Sequence, residues 1–443
     1  MNNNLLSKIK GTFESSLIDA IHKFITFGDF FIALSPRLLK LKVKQIRKKQ
    51  EKTIKQLKNK EKIKTVFLIQ THSTWKFDKL YRLMEKSKKF EPLVVVCPYC
   101  MHFRYSKKQS LKMLEQTENF VKNQGYNFIS SYNKETGKWL NIRKTINPDV
   151  VFFTRPYKDT LPNYYIHKFS DKITCYANYG FCCINSYRLN FNLPFNNLLY
   201  HFFAETDYQK EFAIKYSTIK GANAITTGFP GIEPLIDGHT PENIWKPQNK
   251  TKKKIIWAPH HSLNDFINTS NFLIYCDFML EIAKKYENEI QFAFKPHPVL
   301  KFKLLNLWGE EKTNNYYNIW NNLPNTQIEE GYYIDLFLTS DAMLHDCASF
   351  TAEYFHTLKP VAYIIKNLEN NIKQLNPFGE KLFNLHYHVY NQDDIEGFIQ
   401  NTVLQNNDTM FNRRKEFFDE CLYPKDGILP SQKILNVLCE ELG

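Results

Sequence analysis

Apolar runs of five or six residues recur along the chain from Thr65 onward. They are too continuous to alternate in and out, and too short to be helices. TVFLIQ (65–70), LVVVC (93–97), YNFIS (126–130) and DVVFFT (149–154) lead on to ITCYANY (173–179) and LLYHFFA (198–204), with amphipathic helix-length segments between most of them. Strands that are apolar on both faces and alternate with helices predict a parallel sheet covered on both sides. After the polar stretch KPQNKTKK (246–253) the pattern restarts with KIIWAP (254–259), IQFAFKP (290–296), TQIEEG (326–331), AMLHD (342–346) and VAYII (361–365). The expected fold class is α/β. Two Rossmann-like, doubly wound domains, residues 63–245 and 246–443, are expected to face a cleft, with helices closing the second. A length of 443 residues also argues for two domains.

Residues 1–62 read differently. Ile18, Ile21, Phe24, Ile25, Phe27 and Phe31 form an apolar helical face, and RLLKLKVKQIRKKQEKTIKQLKNKEKIK (37–64) continues as a basic helix. That second segment has 13 Lys and Arg against Glu51 and Glu61, so it holds most of the formal charge of +14. The remainder is a nearly neutral body. A basic helix beside an amphipathic one suits an anionic membrane surface; a solvated linking helix would look the same. No apolar run reaches the length of a membrane span, and the first residues show no signal-peptide pattern. Nine cysteines without framework spacing suit a reduced cytosolic setting.

Titratable residues gather at the carboxyl ends of the second series of strands, where doubly wound sheets bind ligands. KIIW is followed by His260, His261 and Ser262, QFAF by Lys295 and His297, and AML by His345, Asp346 and Ser349. Ser349 opens a helix whose first N–H groups suit a diphosphate, although a plain N-cap would read the same way. Glu353, one turn on, is placed to accept from ribose hydroxyls, and Lys295 to add charge. His297, between two prolines, is fixed in direction and suits proton transfer. His260 and His261 are adjacent, so one of them is expected to face the ligand. His345 and Asp346 either join the site or tie neighbouring loops. CPYC (97–100) reads as a strand-end loop, and neither an HExxH nor a paired CxxC motif is present, so no metal and no cofactor are expected. A P-loop and a G-x-S-x-G elbow are also lacking.

The sequence order TGFPGIEPL (227–235), WAPHHS (257–262), FKPHP (294–298) and TSDAMLHDCASFTAEYFHTLKPVAYI (339–364) resembles the CDP-glycerol glycerophosphotransferase family of teichoic-acid and capsule polymerases. The resemblance implies a GT-B architecture and a donor site. His297 would handle the donor phosphate or a proton. Ser349, with the N–H groups of Phe350 and Thr351, would hold the diphosphate. Glu353, the pair Ser340 and Asp341, and the segment Ala258–His261 would complete that side. On the acceptor side the family carries Trp-His-Gly. The matching YANYGF (176–181) has Asn178, Tyr179 and Gly180, so a phenol stands where the family has its proposed base. Because a phenol is a poor base at neutral pH, His72 in QTHSTW (70–75) is an alternative.

These readings lead to a transferase of bacterial cell-surface polymer synthesis. It would move a phospho-polyol from a CDP-activated donor to a lipid- or glycan-linked acceptor hydroxyl, releasing CMP, and would work in the cytoplasm at the inner face of the membrane. Two other readings fit parts of the sequence: a glycosyltransferase using a nucleotide sugar, and a noncatalytic nucleic-acid binder using the basic arm. A nearly neutral body without an RNA-binding motif argues against nucleic acid as a partner.

Overall fold

The computed structural model describes residues 35–100, 105–263 and 269–443. Two compact units emerge. Unit 1 holds the described residues up to Tyr179, then Ser186–Pro230 and Pro430–Gly443; unit 2 holds Gly180–Asn185 and Gly231–Leu429.

In unit 1 the apolar runs become β1 (Ile63–Ile69), β2 (Phe90–Val96) and β3 (Phe128–Ser130). A small antiparallel hairpin, β4 (Tyr132–Asn133) and β5 (Lys138–Trp139), follows. The sheet resumes with β6 (Val150–Phe153), β7 (Ile173–Ala177), β8 (His201–Ala204) and β9 (Ala224–Thr226). The seven sheet strands lie in the order β3-β2-β1-β6-β7-β8-β9, and every pair is parallel. β1 is central, in register from Ile63 opposite Phe90 to Ile69 opposite Val96. Its side chains are buried except Lys64, which is why the run is apolar without alternation. Phe67, Phe77, Tyr81 and Phe152 form the aromatic centre of this core.

Unit 2 repeats the design with β10 (Lys253–Ala258), β11 (Ile290–Phe294), β12 (Thr326–Ile328), β13 (Ala342–His345), β14 (Val361–Ile364) and β15 (Tyr387–Val389). Their order is β12-β11-β10-β13-β14-β15, again all parallel. Trp257, Phe294 and Trp320 stack at its centre, with ring centroids 5.0–5.4 Å apart. Both sheets have the Rossmann order. The switch point, where strand order reverses, lies between β1 and β6 in unit 1 and between β10 and β13 in unit 2.

The units divide the chain differently from the expected domains. The units part at Pro230, not at residue 245, and Gly180–Asn185 packs with unit 2. The last helix, Pro430–Leu442, returns to unit 1, burying Ile434, Leu438 and Leu442 in its core, while His201 Nε2 lies 2.9 Å from Glu441. The basic helix Pro36–Lys58 is an integral element of unit 1 and not a separate arm. Ser35 caps it, Pro36 starts it, and Lys55 and Lys58 sit favourably in its last turn. Its buried stripe is Leu39, Val43, Ile46, Gln50 and Leu57. Gln50 donates to the Lys172 carbonyl at 3.0 Å and Arg47 to the Leu199 carbonyl at 2.6 Å. The apolar face expected at residues 18–31 lies outside the described residues.

Candidate functional site

The carboxyl ends of β10 and β11 bring His260, His261 and His297 together. Ring centroids are 4.2 Å apart for His260–His261 and His261–His297, and 5.1 Å for His260–His297. Their nitrogens lie within 4.8 Å of one another, the one group among the described residues with the composition of a metal site. Hydrogen bonding argues for a different use. The Val299 N–H donates to His297 Nδ1 at 3.1 Å, and the Ser262 N–H donates to His260 Nδ1 at 3.3 Å. An Nδ1 that accepts leaves the proton of a neutral ring on Nε2. Burial, reinforced by His261, His260 and Lys295, pushes His297 down to about 2, so it is neutral at physiological pH. A neutral His297 with an Nε2–H group suits an anion better than a metal, which needs a lone pair on the ligating nitrogen. This also changes the role expected of His297, because its available nitrogen donates and does not abstract.

Asp346 holds this loop in place. Its carboxylate accepts from the His260 N–H at 2.5 Å and from the Asn271 N–H at 2.6 Å. Burial raises it to about 6 while those donors pull the other way. His345 is fully buried, receives the Cys347 N–H on Nδ1 at 3.2 Å, and is pushed down to about 3 by burial. Asp346 therefore ties two loops together, while His345 bonds only within its own turn and its Nε2 is buried without a partner among the described residues.

Ser349 stands at the start of the turn of helix Phe350–Glu353 and makes no capping bond with its side chain. The Thr351 N–H is already used by the Cys347 carbonyl at 3.3 Å, so of the two expected backbone donors only Phe350 remains on this count. Glu353 is buried and accepts from the Tyr333 hydroxyl and the Phe181 N–H. Burial raises its carboxyl to about 7. Gly180, expected on the acceptor side, packs here instead: a Cβ on it would lie 3.1 Å from Glu353 Oε1 and 3.6 Å from Ser349 Cβ. Lys295 is buried and donates to the carbonyls of Glu329 at 3.3 Å and Gly331 at 3.1 Å. Burial lowers it to about 8, so it fastens the loop that carries Tyr333.

Ser340 and Asp341 precede β13 and so sit at the opposite edge of the sheet from the histidines. Ser340 Oγ donates to the Phe337 carbonyl at 3.0 Å and lies 2.9 Å from the Tyr354 hydroxyl; Asp341 accepts from the Lys254 N–H at 2.7 Å. They are anchors of the strand's amino end.

Unit 1 has its own cluster at the carboxyl ends of β1, β6, β7 and β8. His72 opens a short 3-10 turn after β1, its Nδ1 buried without a partner among the described residues, and burial lowers its pKa. Asn178 is buried and donates to Glu205 Oε1 at 2.8 Å, so it shapes the floor. Tyr179 is exposed, its hydroxyl 3.3 Å from that of Tyr157. Between these elements lies Arg155, which sequence reasoning missed. It follows β6 just as His260 follows β10, so the strand-end argument applied to the second series would have found it here.

Residues 187–439, more than half of the chain, match the family model described as CDP-Glycerol:Poly(glycerophosphate) glycerophosphotransferase. A comparison with curated proteins finds no match. Among solved structures, a His-to-Asn variant of the Wall Teichoic Acid Polymerase TagF is similar at 13% identity and a TM-score of 0.55, covering 95% of this chain and 98% of that one. The same variant soaked with CDPG gives 0.58 over the same shares, at the same identity. The S. aureus MnaA–UDP co-structure is 15% identical, with a TM-score of 0.51, covering 86% of this chain and 97% of that one. At these identities the likeness is one of fold, the two-Rossmann GT-B type.

Proposed function

The chain belongs to the CDP-glycerol:poly(glycerophosphate) glycerophosphotransferase family, a transferase acting in cell-wall polymer synthesis, and we propose that its donor diphosphate binds at the switch point of unit 2. The observation that carries this reading is the convergence of His260, His261, His297 and Ser349 at the ends of β10, β11 and β13. The Nε2–H group of His297, the Ser349 hydroxyl and the Phe350 N–H are donors for phosphate oxygens. Such prepositioned donors stabilise the charge that shifts onto the leaving phosphate. Glu353 and Tyr333 hold Gly180 and Phe181 against this face.

In the reaction an acceptor hydroxyl oxygen forms a bond to the glycerol-bearing phosphorus of CDP-glycerol. The bond from that phosphorus to the bridging oxygen breaks, and CMP leaves with its electron pair. Phosphoryl-type transfers depend chiefly on positioning and charge stabilisation. The acceptor proton is assigned to His72, whose pKa burial lowers, in preference to Tyr179. The acceptor is a hydroxyl of a lipid- or glycan-linked cell-surface polymer, of the teichoic-acid or capsule type.

The enzyme works at the inner face of the cell membrane, peripherally. No helix among the described residues is long and apolar enough to cross a membrane. The outer face of Pro36–Lys58 supports surface binding, exposing Lys40, Lys44, Lys48 and Lys52 together with Leu38 and Leu41, each more than half exposed. Flotation with anionic and neutral vesicles tests it: binding to the anionic set only is expected, and equal recovery from both would contradict it.

The donor site is tested by thermal shift with CDP, CMP and UDP. CDP is expected to raise the melting temperature most, because it binds the native state. Ser349→Ala and His297→Ala should each reduce that shift. An unchanged CDP shift in both variants would place the donor elsewhere.

A further inference from the structure

We propose that Lys76 and Glu205 are positioning residues for the transfer reaction: opposite charges buried in unit 1 that fix where His72 stands relative to Asn178 and Tyr179. The inference rests on the reading of His72 as the base and goes beyond it by naming what holds that base in place.

Four neighbouring strands of the unit 1 sheet end beside these groups. Lys76 lies on the loop after β1, four residues beyond His72; Thr154 follows β6, Asn178 follows β7 and Glu205 follows β8. Lys76, Thr154, Asn178 and Glu205 are all buried. An amine and a carboxylate taken out of water are costly, and an apolar pair of similar volume often serves a fold as well or better. The core beneath them is built from Phe67, Phe77, Phe152 and Phe203 and draws on neither charge.

The polar contacts run as one chain through these strand ends. Gln70 Oε1, at the start of the loop, accepts from Thr154 Oγ1 at 2.9 Å, and Lys76 Nζ donates to the Thr154 carbonyl at 2.9 Å. His72 therefore lies between two anchors on a single residue at the end of β6. The Lys76 amine also sits over the rings of Phe77 and Tyr176, 4.8 and 5.4 Å from their centroids. Tyr176 belongs to β7, the strand that leads to Tyr179. Glu205 Oε1 accepts from Asn178 Nδ2 at 2.8 Å and so holds the residue next to Tyr179. Burial and the charge of Arg155 push the Lys76 amine well below its ordinary value, while Glu205 pulls it back up. The attraction between amine and carboxylate thus joins the loop of His72 to the end of β7: Lys76 holds one side and Glu205, through Asn178, the other.

The test is a mutant cycle in the full chain: Lys76→Met, Glu205→Gln and the double variant. Two readouts are compared, urea unfolding and the transfer of labelled glycerol phosphate from CDP-glycerol to poly(glycerol phosphate). Glutamine keeps an oxygen for Asn178, so that change removes charge alone. Each single change leaves a buried charge without its counter-charge; both singles should lose stability, and the double variant should regain most of it. Turnover should not follow. In the double variant, as in the singles, kcat is expected to fall about 10- to 100-fold, the scale for a displaced reacting group. KM for CDP-glycerol and the CDP thermal shift should stay unchanged, because the donor site lies in unit 2. Wild-type kcat in the double variant, or a kcat that tracks stability through the cycle, would overturn the proposal and leave the pair a structural one. The double variant also decides the matter if a single variant does not fold. His72→Ala tells the two readings apart. If it keeps full kcat, the base assignment falls and takes the proposal with it. If it is inactive while the double variant turns over like wild type, the base stands and only the role of Lys76 and Glu205 is lost.

Discussion

Glu353→Gln separates a carboxylate kept for function from one kept for stability. Glu353 is 2% exposed, and burial raises it from 4.5 to about 7. A carboxyl whose folded value lies above its unfolded one stabilises the protein fully below the unfolded value. That contribution is lost as pH rises through the folded value. At about 1.4 kcal/mol per pH unit, the interval from 4.5 to about 7 corresponds to roughly 3 kcal/mol. Glutamine is nearly isosteric. Its oxygen still accepts from the Phe181 N–H and its amide can donate to the Tyr333 oxygen, but it never carries charge. Unfolding in urea from pH 4.5 to 8.5, followed through the unit 2 transition, should therefore show the variant near wild type at the acid end and more stable by up to about 3 kcal/mol above pH 7.5. Catalytic turnover should fall in the same variant, because natural proteins keep a costly buried charge where function needs it. A stability gap that does not change with pH would refute the reasoning, since the whole effect comes from ionisation of this one group.

Three further outcomes follow from the geometry. Asp346→Ala leaves the buried N–H groups of His260 and Asn271 without their acceptor; it should destabilise unit 2 by about 3 kcal/mol in urea unfolding and weaken CDP binding. Gly379→Ala would place a Cβ 2.1 Å from the Cys183 carbonyl oxygen, so a loss of about 3 kcal/mol or more is expected, with faster amide exchange in residues 180–185. Because burial lowers His72, the acid limb of kcat/KM should have its midpoint below 6.5 and vanish in His72→Ala; a limb centred above 6.5 would remove His72 as the base.

Much of the fold was legible because central strands of parallel sheets are buried on both faces. DVVFFT and AMLHD became β6 and β13 within two residues at either end. The strands that escaped, Ala224–Thr226 and Tyr387–Val389, are three residues long and lie at sheet edges, too short to carry a period. The histidine cluster was legible from strand-end position alone. Ser340 and Asp341 were misplaced because a motif read as a string does not tell which end of a strand its polar residues occupy. Asp346 looks like a ligand group in sequence, yet its carboxylate joins two loops, since burial and partners are invisible there. The tautomer of His297 depends on the N–H group of Val299, two residues further on, which only the folded backbone reveals. The match to Trp-His-Gly puts Gly180 on the acceptor side, whereas its neighbours Ser349 and Glu353 lie more than 160 residues further along the chain.

The central claim is that the chain transfers glycerol phosphate and not a sugar. Incubating the enzyme with CDP-glycerol labelled in the glycerol moiety, and separately with UDP-sugars, and then identifying the released nucleotide, tests it directly. CMP formed in step with label entering the acceptor is the predicted result. Release of UDP from a nucleotide sugar, with CDP-glycerol left intact, would contradict it.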